Sequence, residues 1–241
     1  MQKRTTKKQQ RILRQQQATI PQKLNIKEIV PLTDAQERVY DKFEEGKNLV
    51  LHGLAGTGKS YISLYLALDE VMCEDSPYQR VLVVRSAVPS RDIGYMPGSL
   101  KDKIKVYESP YEVICNNLFD SPNAYSLLKS KNIIDFQSTS FMRGLTFDNT
   151  IIIIDEVQNM TSMELHTILT RIGNNTRFIM CGDYRQDDLA DKRTEQSGLK
   201  QILDVLKLIP SVNIVEFGIK DIVRSGFVKQ YIIARNELGM I

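Results

Sequence analysis

The run Asn48-Leu49-Val50-Leu51-His52-Gly53-Leu54-Ala55-Gly56-Thr57-Gly58-Lys59-Ser60 leaves this chain little choice of fold. A short apolar stretch, then Gly53-x-x-x-x-Gly58-Lys59-Ser60, then a helix-compatible segment to about Cys73 is strand, phosphate-binding loop and helix in their required order. Gly53, Gly56 and Gly58 let the backbone curl so that its N–H groups and the positive end of the helix face a polyphosphate. Leu54, Ala55, Thr57 and Tyr61 complete the expected cradle for ATP. Lys59 is placed to reach the β- and γ-phosphates, and Ser60 to offer its hydroxyl to Mg²⁺.

A second run supplies the acids that such a loop needs. Thr150-Ile151-Ile152-Ile153-Ile154-Asp155-Glu156 reads as a strand buried on both faces with two carboxylates at its end. In an open parallel sheet that end is where ligands bind. Asp155 is therefore expected to hold Mg²⁺, directly or through water, and Glu156 to orient or deprotonate the water that attacks the γ-phosphate. The expectation is that the two strands lay their carboxyl ends side by side. A third strand, Arg177–Gly182, ends on Asp183 and Gln186, with Gln186 sensing the γ-phosphate and Asp183 tuning it.

Further strands are read at Arg80–Arg85, Asn132–Phe136 and Val212–Phe217, and helices at Ser162–Ile172, Leu199–Leu208 and Gly226–Leu238. This alternation predicts a three-layer α/β fold around a mostly parallel, doubly wound sheet. Ser86 to Asp120 is broken by Pro89, Gly94, Pro97, Gly98 and Pro110 and reads as part of a loop-rich insertion over about 86–130. Its Tyr95, Tyr107 and Tyr111, set among Lys101, Lys103 and Lys105, are assigned mainly to packing, with a nucleic-acid surface as the alternative. Arg224, just past the last strand, either reaches a γ-phosphate or makes a surface ion pair. His52 and His166 read as structural.

The N-terminal part differs in kind. Residues 1–27 hold Lys3, Arg4, Lys7, Lys8, Arg11, Arg14, Lys23 and Lys27 and no acid, so the rest of a chain of net charge +3 is acidic. The first 17 residues, rich in glutamine and almost without apolar residues, build no core and are expected to be mobile; the arm either lies along nucleic-acid phosphates or is a solvated leader. The folded part is expected over 28–241 as one ATPase domain. Its first helix starts at Thr33, an N-cap, with Gln36 three residues on. Gln36 either closes a capping box or grips the adenine edge with its amide. No apolar run suits a membrane span, and three widely spaced cysteines point to a reducing cytoplasm.

Taken together, Gly53–Ser60, Phe141-Met142-Arg143-Gly144, Ile154–Asn159, Leu169–Gly173, Gly182–Gln186 and Asp221–Arg224 resemble the PhoH-like ATPases, in the same order over about 29–240. Tyr95–Lys103 is similar to that family's Pro-Gly segment. The resemblance implies a RecA-like core of the helicase superfamily 1 type, ATP hydrolysis with Mg²⁺, and work on RNA or single-stranded DNA. It places Thr33 and Gln36 on the adenine side and gives Lys59, Ser60, Asp155, Glu156, Gln186 and Arg224 the roles above. Ser86 and Leu145 depart from the family pattern at a nucleic-acid contact, and no nuclease segment is expected. Superfamily 1 helicases close ATP between two RecA-like units, and this length suits one. The chain is therefore expected to form a homo-oligomeric ring, possibly a hexamer, with Arg224 or Arg143 as an arginine finger across the subunit boundary. A small-molecule kinase and a nucleotide-gated binding module are the rival readings.

Overall fold

The computed structural model describes residues 24–86, 100–142, 144, 146–183 and 199–238, with the side chains of 100–103, 141, 199 and 200 outside the description. Seven helices and six strands alternate among them. The order is α1 (Asp34–Glu44), β1 (Asn48–Gly53), α2 (Lys59–Met72), β2 (Arg80–Arg85), α3 (Leu100–Leu118), α4 (Ala124–Ser130), β3 (Ile134–Ser138), β4 (Thr150–Asp155), α5 (Ser162–Leu169), β5 (Arg177–Gly182), α6 (Leu199–Leu206), β6 (Val212–Phe217) and α7 (Gly226–Glu237).

All strands pair in parallel, in the order β3-β2-β4-β5-β1-β6. The sheet is buried on both faces because its strands are apolar at consecutive positions, and the strand period of two sends alternate side chains to opposite layers. Ile151 and Ile153 enter one cluster with Leu49, Leu51, Val81 and Val83 beneath α1 to α4. Ile152 and Ile154 enter the other with Val50, Leu82 and Met180, beneath Leu165 and Ile168 of α5 and Leu203 and Leu206 of α6. The four isoleucines are at most 1% exposed, and each contributes roughly 1.5–3 kcal/mol by leaving water. The result is a three-layer α/β fold around a parallel sheet.

Four expectations need correction. The strand that leads into the phosphate loop and the strand that ends in the acids are not neighbours: β5 lies between β1 and β4 and pairs with both. The segment read as loop-rich is helical from Leu100 to Leu118 and again from Ala124 to Ser130. β3 starts at Ile134 and runs to Ser138, because its partner β2 extends that far in register. α5 stops at Leu169, and Ile172 instead bridges to Phe147. The arm over 1–23, the segment with Tyr95, Arg143, Leu145 and Gln186 lie outside the described residues.

Candidate active site

The carboxyl ends of β1, β4 and β5 open into one cleft of about 710 Å³, lined by Ala55 to Ile62, Asp155, Glu156, Gln158, Gly182, Asp183 and Arg224, among others. A turn of unusual backbone starts it. Gly53 has φ +128°, and a Cβ there would lie 2.1 Å from the Phe217 carbonyl oxygen, so only glycine admits this approach of β6 to the loop. That carbonyl accepts from the Leu54 N–H at 3.1 Å, and the Val223 N–H donates to the Gly56 carbonyl at 3.1 Å. The buried Thr57 hydroxyl closes the loop on itself by donating to the Leu54 carbonyl at 2.9 Å. Gly58, in the left-handed region, opens α2, and no side chain caps that helix. Its first N–H groups are thus left for a ligand's oxygens.

Lys59 points back into the same cradle, donating to the carbonyls of Gly53 and Leu54 at 2.8 Å each and to the Thr57 hydroxyl at 3.3 Å. Burial lowers its pKa from the usual lysine value, against the opposing pull of Cys181, Asp183, Asp155 and Glu156. Ser60 donates to Asp155 Oδ1 at 2.9 Å, which joins loop and acid strand across the width of β5. Asp155 is 5% exposed; burial and then the neighbouring Glu156 raise its pKa, while hydrogen bonds from Tyr111 and Ser60 and the charge of Arg85 pull it down.

Glu156 adopts φ +54°, ψ +45°, a left-handed conformation that costs a non-glycine residue about 1–2 kcal/mol. The conformation turns the chain sharply at the strand end and puts the carboxylate on the cleft wall beside Asp155. Its Oε2 accepts from Gln158 Nε2 at 2.5 Å, and Gln158 Oε1 accepts from the Asp183 N–H at 3.2 Å. Gln158 so ties the end of β4 to the end of β5. It packs closely on Gly182, where a Cβ would meet its Oε1 at 2.8 Å.

Two expected residues are found in settings the sequence did not disclose. Thr33 is the N-cap of α1, its hydroxyl accepting from the Gln36 N–H at 3.3 Å. The Gln36 side chain does not close the box: Oε1 accepts from the Leu32 N–H at 2.8 Å and Nε2 donates to the Thr57 carbonyl at 3.0 Å, so the amide braces the phosphate loop. Arg224 lies against Gly56 of its own chain, its Cγ 2.8 Å from where a Cβ would stand, on the cleft wall. Placed there, it reaches the cleft without crossing a subunit boundary.

Tyr111 and Gln158 had no expected role in the site. Tyr111, 2% exposed, donates to Asp155 Oδ2 at 2.7 Å, and burial raises its pKa well above the usual phenol value. The available signal for Gln158 was its place two residues beyond Glu156; for Tyr111 it was the spacing of four from Tyr107, which matters only on a helix.

The donor set suits a hard cation. Ser60 and Asp155 offer one hydroxyl and one carboxylate 2.9 Å apart, and no cluster of three or more His, Cys, Asp or Glu side chains with metal-binding geometry occurs among the described residues. Two oxygen ligands fit Mg²⁺, which takes one or two carboxylates and completes its shell with water and substrate phosphates. No helix among the described residues is long and apolar enough to cross a membrane.

A family model described as PhoH-like protein matches residues 28–235. The protein PhoH of Escherichia coli K12 is 35% identical over 189 residues, which are 77% of this chain and 52% of that protein. The PhoH-like protein of Mycobacterium leprae is 30% identical over 220 residues, 89% of this chain and 62% of that one. The chain thus matches between about half and two thirds of the length of these curated relatives. Among solved structures, the helicase domain of Pyrococcus furiosus Hef aligns with a TM-score of 0.45 at 12% identity, over 78% of this chain and 38% of that one.

Proposed function

This chain belongs to the PhoH-like protein family, and on that premise we propose that it binds ATP with Mg²⁺ and hydrolyses it in the service of RNA or single-stranded DNA. The observation that supports this most is the hydrogen bond from Ser60 to Asp155, because it brings the phosphate loop and the acid strand to one point of one cleft.

The loop from Gly53 to Ser60 binds the phosphates through its N–H groups and the uncapped start of α2, with Lys59 exchanging its carbonyl partners for phosphate oxygens. Ser60 and Asp155 would hold Mg²⁺, whose charge would offset that of the phosphate oxygens. Glu156, steadied by Gln158, orients the attacking water and takes its proton. Arg224 meets the developing phosphate charge from within the same chain. Gln186 is assigned the γ-phosphate contact from its place in the sequence after the strand Arg177–Gly182, and Arg143 a finger role from the resemblance and the single RecA-like unit that the length suits. Gln36 acts on the nucleotide through the loop it braces at Thr57. The base is covered by apolar side chains of the cleft, among them Val30, Leu32, Pro110 and Val113.

The nucleic-acid partner and a cytoplasmic setting rest on the resemblance and on three free cysteines. A homo-oligomer is supported by α7, which buries none of its side chains and exposes Phe227, Tyr231 and, just after it, Leu238. Turnover with and without RNA, single-stranded DNA and duplex DNA, with the product identified, tests the core of this reading. Free phosphate, released faster in the presence of one nucleic acid, is the expected result. A phosphorylated metabolite would make the protein a kinase, and nucleotide uptake without turnover would make it a gated binding module.

A further inference from the structure

Tyr111 takes no part in the chemistry proposed above, and its surroundings give it one. Its hydroxyl donates to Asp155 Oδ2 at 2.7 Å while Ser60 donates to Oδ1 at 2.9 Å, so the two oxygens of one carboxylate are anchored from two different helices, α3 and α2. A carboxylate held at one oxygen swings about a soft torsion; held at both, it keeps one plane. The phenol is itself fixed, 2% exposed, with its ring centroid 5.7 Å from that of Phe136. One turn earlier on α3, the Tyr107 ring lies 5.7 Å from the Arg85 guanidinium, and Arg85 is the register partner of Asp155 across β2 and β4. Two tyrosines a helical turn apart therefore grip the ends of adjacent strands.

We infer that Tyr111 is a positioning residue for the metal: its phenol holds the Asp155 carboxylate in the orientation that receives Mg²⁺, and so makes α3 part of the metal site without touching the ion. The inference rests on the nucleotide reading of the same cleft. A purely structural tyrosine would predict a loss of stability alone. A positioning tyrosine predicts a loss specific to the metal, in line with the roughly 10–100-fold cost of removing the partner that orients a metal ligand.

The test is equilibrium binding of a fluorescent ADP analogue to the full chain, in EDTA and across a Mg²⁺ titration, with thermal melting alongside. For Tyr111→Phe the affinity in EDTA is expected to stay within about two-fold of the parent, because the phosphate loop is untouched, while the Mg²⁺ midpoint rises about 10–100-fold. Phe136→Leu, which loosens the ring but keeps the hydroxyl, is expected to melt earlier with the parent's Mg²⁺ midpoint. An unchanged midpoint in Tyr111→Phe overturns the inference. Should that variant not fold, 3-fluorotyrosine at position 111 gives the same decision: its fluorine resonance moves on adding Mg²⁺ at saturating ADP, or the inference fails. A parent that takes up no nucleotide in either arm overturns the nucleotide reading itself, which separates the two failures.

Discussion

Glu156 sits in a strained backbone conformation beside a buried carboxylate, two costs that a structural role does not require. Replacing it with Gln keeps shape and the contact to Gln158 while removing the base. Nucleotide affinity is expected to hold in Glu156→Gln while turnover falls on the order of 10²–10⁴-fold, read by phosphate release under single-turnover conditions. Lys59 gives a prediction of stability. Its pKa is lowered by burial, so between that lowered value and the usual 10.5 the unfolded chain binds more protons than the folded one, and stability rises with pH through that window. In melting curves without nucleotide, the parent should gain on Lys59→Met as the pH climbs toward 10.5, the unperturbed lysine value. A difference that shrinks with pH would contradict the assigned cause. Lys59, Ser60, Asp155 and Glu156, to which the proposal gives the chemistry and which line one cleft, were legible in the sequence because each sits at fixed spacing from a glycine or at the end of an apolar strand. Gln158 and Tyr111 were not, since their partners lie on other elements.

α3 shows how an element is hidden. Pro110 lies inside it and lacks the N–H that would bond the Val106 carbonyl, which is why the segment read as a loop. The Ser109 hydroxyl donates to that same carbonyl at 3.0 Å and satisfies the group that the proline orphans. With the carbonyl answered, the apolar residues at helical spacing decide the conformation: Tyr111, Cys115 and Leu118 are each no more than 2% exposed. Pro110→Ala restores the missing bond and is expected to stabilise the protein by roughly 1–3 kcal/mol, seen as a higher urea midpoint at unchanged slope. A lower midpoint would mean that the proline ring's packing outweighs the helix term. Helix starts were easier to read: α1 begins behind Thr33, the cap expected for it, and α5 begins at Ser162 as expected, behind a Thr161–Glu164 capping box.

At the scale of the molecule, alternating apolar strands and helices specified the layers, while strand order is a matter of long-range pairing that no local spacing encodes. The thiols report on that packing. Burial pushes the Cys115 thiol up to about 12 and raises that of Cys181 as well, whereas Cys73 is exposed. Maleimide is therefore expected to modify one thiol of the native protein and all three after denaturation; rapid modification of Cys181 would mean that the centre of the sheet opens. β5 supplies a last consequence. It wedges between a strand near residue 50 and one near residue 150, yet it is made after both. A ribosome translating this message holds the lysine turn and the acid pair outside the exit tunnel for some time before the strand that spaces them has emerged. Competence to hold a nucleotide should then switch on abruptly, no earlier than Asp183 leaves the tunnel, and not grow in proportion to the chain already made.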